Sequence, residues 1–181
     1  MELSPANASK APLIAEGVSD PPVNTNSNPN DGSVFGRRTD FVNDFANVLD
    51  DNEEAELEQI LSNFKERHKI DFVVLTVNTT AGESASDYSL KVANDWGIAA
   101  DNKGRTGIFM LIAVDDRSWH VQISRTLEKV LSNSEVNEIG AMMPPYFKEQ
   151  KYSEGITKCV GKFIEVVKKK GEAMEHPVQP E

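Results

Sequence analysis

The run Ile108 to Val114 is apolar without a break and is bounded by Gly107 before it and Asp115 after it. Its length suits a strand covered on both faces. After the polar turn Asp115-Asp116-Arg117, Trp119, Val121 and Ile123 alternate with His120 and Gln122. That period of two predicts a half-buried strand, and the pair reads as a β-hairpin.

Other stretches can be placed around this hairpin. Ordered structure is expected to begin near Phe41-Val42-Asn43-Asp44. Asp50 with Glu53 makes a capping box, and Leu57, Ile60, Leu61 and Phe64 follow at helical spacing, with the helix ending near His68-Lys69. Asp71 to Asn78 is β-branched and predicts a strand. Ser84 with Asp87 starts a second helix with Tyr88, Val92 and Trp96 inward, closed by Gly97. Beyond the hairpin, Ser134 is positioned to cap a third helix carrying Val136, Ile139 and Met143, which Pro144-Pro145 should bend or stop. The clearest stripe is the last: Ile156, Cys159, Val160, Phe163 and Val167, with Lys168, Lys169 and Lys170 where cations suit the helix C-terminus. Helix, strand, helix, strand, strand, helix, helix describes a three-layer α/β/α sandwich with a small mixed β-sheet. Its first two strands should be parallel, joined by a right-handed crossover.

Residues 1–38 are rich in Pro, Asn, Ser and Gly and nearly free of aromatics, so they read as a disordered leader or tether. The globular unit is expected over 39–171, with a flexible tail from 172 to 181. The stretch after Met1 has no basic segment followed by an apolar one, so no signal peptide is read, and no run of 18 apolar residues predicts a transmembrane helix. Twenty-nine acidic residues against 19 basic ones give a net charge of −10, which argues against nucleic acid as a partner. The lone Cys159 rules out an internal disulfide and lies on an apolar stripe, as a core residue would.

Candidate chemistry follows from topology. The loop holding Asp101 and Asn102 feeds the start of the central strand, and the antiparallel strand after it returns Glu128 and Asn133 to the same sheet edge. Asp101, Asn102, Glu128 and Asn133 could therefore converge, and oxygen donors of this kind suit calcium or magnesium. Ordinary loop and cap residues would give the same pattern. Other constellations are missing: there is no Asp-x-Asp nucleophile, Glu165 stands where a cysteine phosphatase needs arginine, and His68, His120 and His176 lack zinc spacing. Gly104 and Gly107 lack the Gly-Lys-Thr ending of a phosphate loop. Asp115-Asp116-Arg117 reads as a turn only, at the edge opposite Asp101.

Several motifs in order resemble the TPM domain family, named for a thylakoid lumen protein, a photosystem II accessory protein and a nematode receptor modulator. They are Val42-Asn-Asp44 with Ala46 and Val48-Leu49, Gly82-Glu83-Ser84 with Asp87-Tyr88, and Trp96-Gly-Ile98. Gly107, Asp116-Arg117, Leu127-Glu128 and Pro145-Tyr-Phe147 with Tyr152 and Gly155 continue the match across residues 41–168. The resemblance implies an extracytoplasmic α/β/α domain associated with a membrane or envelope protein partner, and the chain is expected to be a monomer. It also implies two possible activities, a cation-binding or protein-interaction module and a calcium- or magnesium-assisted acid phosphatase acting on phosphomonoesters. Carried over residue by residue, Asp44, the Asp101-Asn102 loop and Glu128 fall at or near the family's acidic positions. In the hydrolase reading Arg105 or Arg125 would face the transferring group. The chain departs from the pattern at Ser124-Arg125-Thr126 and Lys129, where glycines are usual, at Asn133, where an acid is usual, and at Thr106, where Asp or Asn is usual. These changes weaken a cation site, and no nucleophile or base stands out.

Overall fold

The computed structural model describes residues 38, 40–98 and 106–175. In chain order the elements are β1 (Val42–Asp44), α1 (Asp51–His68), β2 (Ile70–Val77), α2 (Ala85–Asp95), β3 (Thr106–Ala113) and β4 (Ser118–Ile123). A 3₁₀ turn (Leu127–Lys129), α3 (Asn133–Gly140), α4 (Met143–Lys148) and α5 (Tyr152–Glu175) follow. One four-stranded sheet has the order β1-β2-β3-β4, with β1, β2 and β3 parallel and β4 antiparallel to β3.

Alternation along the two central strands divides the core into two layers. Phe72 and Val74 of β2 and Ile108, Met110 and Ile112 of β3 face α1, α3 and α5, whose Leu57, Leu61, Ile139, Val160 and Phe163 are buried there. Val73, Leu75 and Val77, with Phe109, Leu111 and Ala113, face the opposite way and are covered by Tyr88, Val92 and Ala93 of α2. The near-continuous apolar run of β3 is therefore buried on both sides, as its sequence predicts. Since α1 and α2 lie on opposite faces while the strands step in one direction, the β1–α1–β2 and β2–α2–β3 crossovers have opposite hands. Only one of them can follow the usual right-handed rule.

Several local features differ from expectation. Strand β1 is additional; its three residues are too few to show a period, and α1 holds it through the Glu58 carboxylate, which accepts from the N–H groups of Phe41 (3.1 Å) and Val42 (2.8 Å). Ile60 is 41% exposed rather than part of the buried stripe. The cap of α3 is Ser132, in a capping box with Glu135, so Ser134 lies inside the helix. The two prolines do not bend α3, which ends at Gly140; they sit in the first turn of the separate helix α4, where a missing N–H costs nothing. Helix α5 runs on to Glu175, four residues into the stretch expected to be a tail.

Candidate functional site

The sheet has two ends, and the candidate residues divide between them. At one end lie the starts of β2 and β3 and the close of β4, with Glu128 and Asn133 beyond it. At the other lie the closing residues of β1, β2 and β3 and the turn into β4. Strands of eight residues separate the ends by about 23 Å at ~3.3 Å per residue.

Glu128 sits in the 3₁₀ turn and Asn133 at the first position of α3; both are exposed, as is Arg125. Asp101, Asn102 and Arg105 lie outside the described residues. Ser124 is buried, and its hydroxyl accepts from the Gly107 N–H at 3.2 Å. Its backbone N–H donates to the Gly107 carbonyl at 2.9 Å, closing the sheet at this end. Among the described residues no three His, Cys, Asp or Glu side chains gather to hold a metal. Calcium takes ~6–8 oxygen ligands, and of the candidate donors at this end the described ones are Glu128 and Asn133.

Asp44 is at the far end. It pairs in register with Thr76, accepts from the Thr76 hydroxyl, and accepts from the Leu49 N–H at 2.8 Å. The Thr76 hydroxyl in turn accepts from the Ala46 N–H at 3.1 Å. The carboxylate thus folds the loop between β1 and α1, and the sheet does not bring it to Glu128.

Close by, Asp116 does more than make a turn. It accepts from the Thr80 N–H (2.7 Å) and from the hydroxyls of Thr79 (2.9 Å) and Thr80 (2.9 Å). The Thr80 N–H foremost, with both hydroxyls, holds this carboxyl below the usual carboxylate range against the opposing effect of burial. The hairpin turn is thereby tied to the loop after β2.

Beside that turn a cavity of about 340 Å³ opens between the hairpin and α4. It is lined by buried Ile112 and Ala113, half-buried Trp119, Phe147 and Tyr152, and exposed Arg117, Lys148 and Gln150 at its mouth. Two glycines permit this arrangement. A Cβ at Gly140 would lie 2.1 Å from the Trp119 ring, and one at Gly155 would lie 2.9 Å from Tyr146 Cβ and 3.0 Å from the Phe147 ring. Phe147 and Tyr152 then pack with ring centroids 5.0 Å apart. Helix α4 ends in a Schellman motif in which Gln150 (φ 61°) donates to the Phe147 carbonyl at 3.1 Å and Lys151 to that of Tyr146 at 3.0 Å. Arg117 is also left-handed (φ 50°) and closes the hairpin turn.

Sequence reading places Trp119, Phe147 and Tyr152 as strand-face and motif residues and does not assemble them. The signal in the chain is three aromatics near a hairpin turn, two prolines and Gly155. It is incomplete without α4 as a helix separate from α3. Of the other candidates, His120 faces α2, where burial lowers its pKa, and Cys159 donates to the Ile139 carbonyl at 3.4 Å with burial pushing its thiol up to about 12. Both belong to the packing.

A family model described as the TPM domain matches residues 42–166. Three solved structures share the fold. The N-terminal domain of a P. gingivalis protein is 23% identical, with a TM-score of 0.67, covering 79% of this chain and 89% of that one. The N-terminal domain of a Corynebacterium glutamicum protein is 11% identical, with a TM-score of 0.55, over 71% and 78%. The BA42 protein of Bizionia argentinensis is 16% identical, with a TM-score of 0.58, over 67% and 83%. At these identities the likeness is one of fold alone. No curated protein matches the chain.

Proposed function

The chain belongs to the TPM domain family, and from that premise we propose that it is a protein-interaction module whose recognition face is the Trp119–Phe147 end of the sheet. The observation that carries this reading is the cavity there, apolar within and cationic at its rim. Binding sites in proteins are commonly concave and apolar with a few placed polar groups.

The path of the chain supports the same reading. Arg38, at the start of the described residues, pairs with Asp71 at the opening of β2 (2.8 Å). Lys170, late in α5, pairs with Glu135 at the opening of α3 (2.5 Å). The described chain therefore enters and leaves at the Glu128 end, and the cavity faces the other way. An extracytoplasmic location and a partner in a membrane or envelope complex, both implied by the family resemblance, complete the proposal. No described helix is long and apolar enough to cross a membrane.

The competing reading, a calcium- or magnesium-assisted phosphatase, centres on Glu128 with Asp101, Asn102 and Asn133. Turnover of p-nitrophenyl phosphate by the full chain and by Glu128→Gln, with and without calcium, separates the two. The interaction module predicts the same turnover in every combination. Calcium-dependent turnover that disappears in Glu128→Gln would overturn it.

A further inference from the structure

The cavity specifies more than a docking face. Trp119, Phe147 and Tyr152 wall it, and Arg117, Lys148 and Gln150 stand at its mouth. Neither cation has an ion-pair or hydrogen-bond partner among the described residues. Two nearby acids are occupied elsewhere: Asp116 by Thr79 and Thr80, and Glu149 by Lys151 at 2.6 Å. An apolar hollow with unpaired cations at its lip suits one apolar group attached closely to one anion.

We propose that the cavity receives the C-terminal residue of a partner polypeptide. Its apolar side chain enters between Trp119 and Phe147, its free carboxylate pairs with Arg117 and Lys148, and the Gln150 amide meets the preceding peptide group. A C-terminal residue carries an apolar side chain and a carboxylate on the same carbon, which an internal residue does not. The volume, near the lower end of the ~300–1,000 Å³ typical of small-ligand sites, admits one residue rather than a folded segment. The inference rests on the interaction reading above and names the chemistry of its partner.

The test is a titration of the full chain, followed by backbone amide shifts, with N-acetylphenylalanine, N-acetylphenylalaninamide and acetate. Saturable shifts over residues 113–119 and 147–152 are expected from the acid, which should bind about tenfold tighter than the amide because its charge is paired. Acetate should be weaker still. In the double variant Arg117→Gln/Lys148→Gln the acid should lose its advantage while the amide's shifts persist. Equal affinity for acid and amide in the unmodified protein would overturn the inference, as would shifts confined to other regions or none at all. Weaker binding of N-acetyl-Gly-Gly-Phe than of N-acetylphenylalanine would overturn the polypeptide as source and favour a free organic acid. These failures concern the occupant of the cavity alone; the interaction reading has its own test in the calcium dependence of turnover by the full chain and by Glu128→Gln.

Discussion

The Asp44 carboxylate is tied into its own loop by hydrogen bonds. It holds the Leu49 N–H and the Thr76 hydroxyl, and Thr76 is fully buried. Hydrogen bonds to a charged group contribute ~1.5–3 kcal/mol each in typical cases. Asp44→Ala should therefore lower stability by roughly 2 kcal/mol, read as a reduced urea midpoint with an unchanged slope. An unaltered midpoint would mean the carboxylate is not what secures this loop. Its role is not legible in the sequence because register with Thr76 depends on β1, and three residues give no pattern to read. Cys159, by contrast, is legible as core, since the helical stripe of α5 fixes its direction and its buried thiol follows.

At the scale of elements, helices and strands with long periods follow the sequence closely. The capping box at Asp50, the Ser84 cap and the two faces of β3 appear as their residue types require. Short elements do not, because neighbours decide them. Pro144 and Pro145 forbid a continuing helix but also favour starting one, and packing against α5 selects the second outcome. Gly155 is what allows that packing, since the Tyr146 and Phe147 side chains occupy the space of its absent Cβ. Gly155→Ala should cost about 1–3 kcal/mol as an overpacked contact. Gly161, less than two turns further along the same helix, has nothing within 4 Å of where an added methyl group would sit. Gly161→Ala should instead stabilise by about 0.5–1 kcal/mol. Thermal unfolding of the two variants checks the contrast, and shifts of the same sign would contradict it.

For the whole molecule, what matters is which end of the sheet each group reaches. Topology predicted from sequence carries Glu128 and Asn133 to the edge where β3 begins, and that placement needs only the hairpin. The cavity needs tertiary information: Trp119 comes from β4, Phe147 from α4 and Tyr152 from α5, and only the turn of α4 against α5 brings them together. The two ends lie about 23 Å apart at ~3.3 Å per strand residue, so the proposed recognition face is separable from the other by position. A photocrosslinking amino acid placed in cells at Lys148, and separately at Lys129, compares them directly. Recognition at the cavity predicts a discrete crosslinked product from position 148, and little from position 129. A product from position 129 with none from 148 would contradict it and place recognition at the Glu128 end.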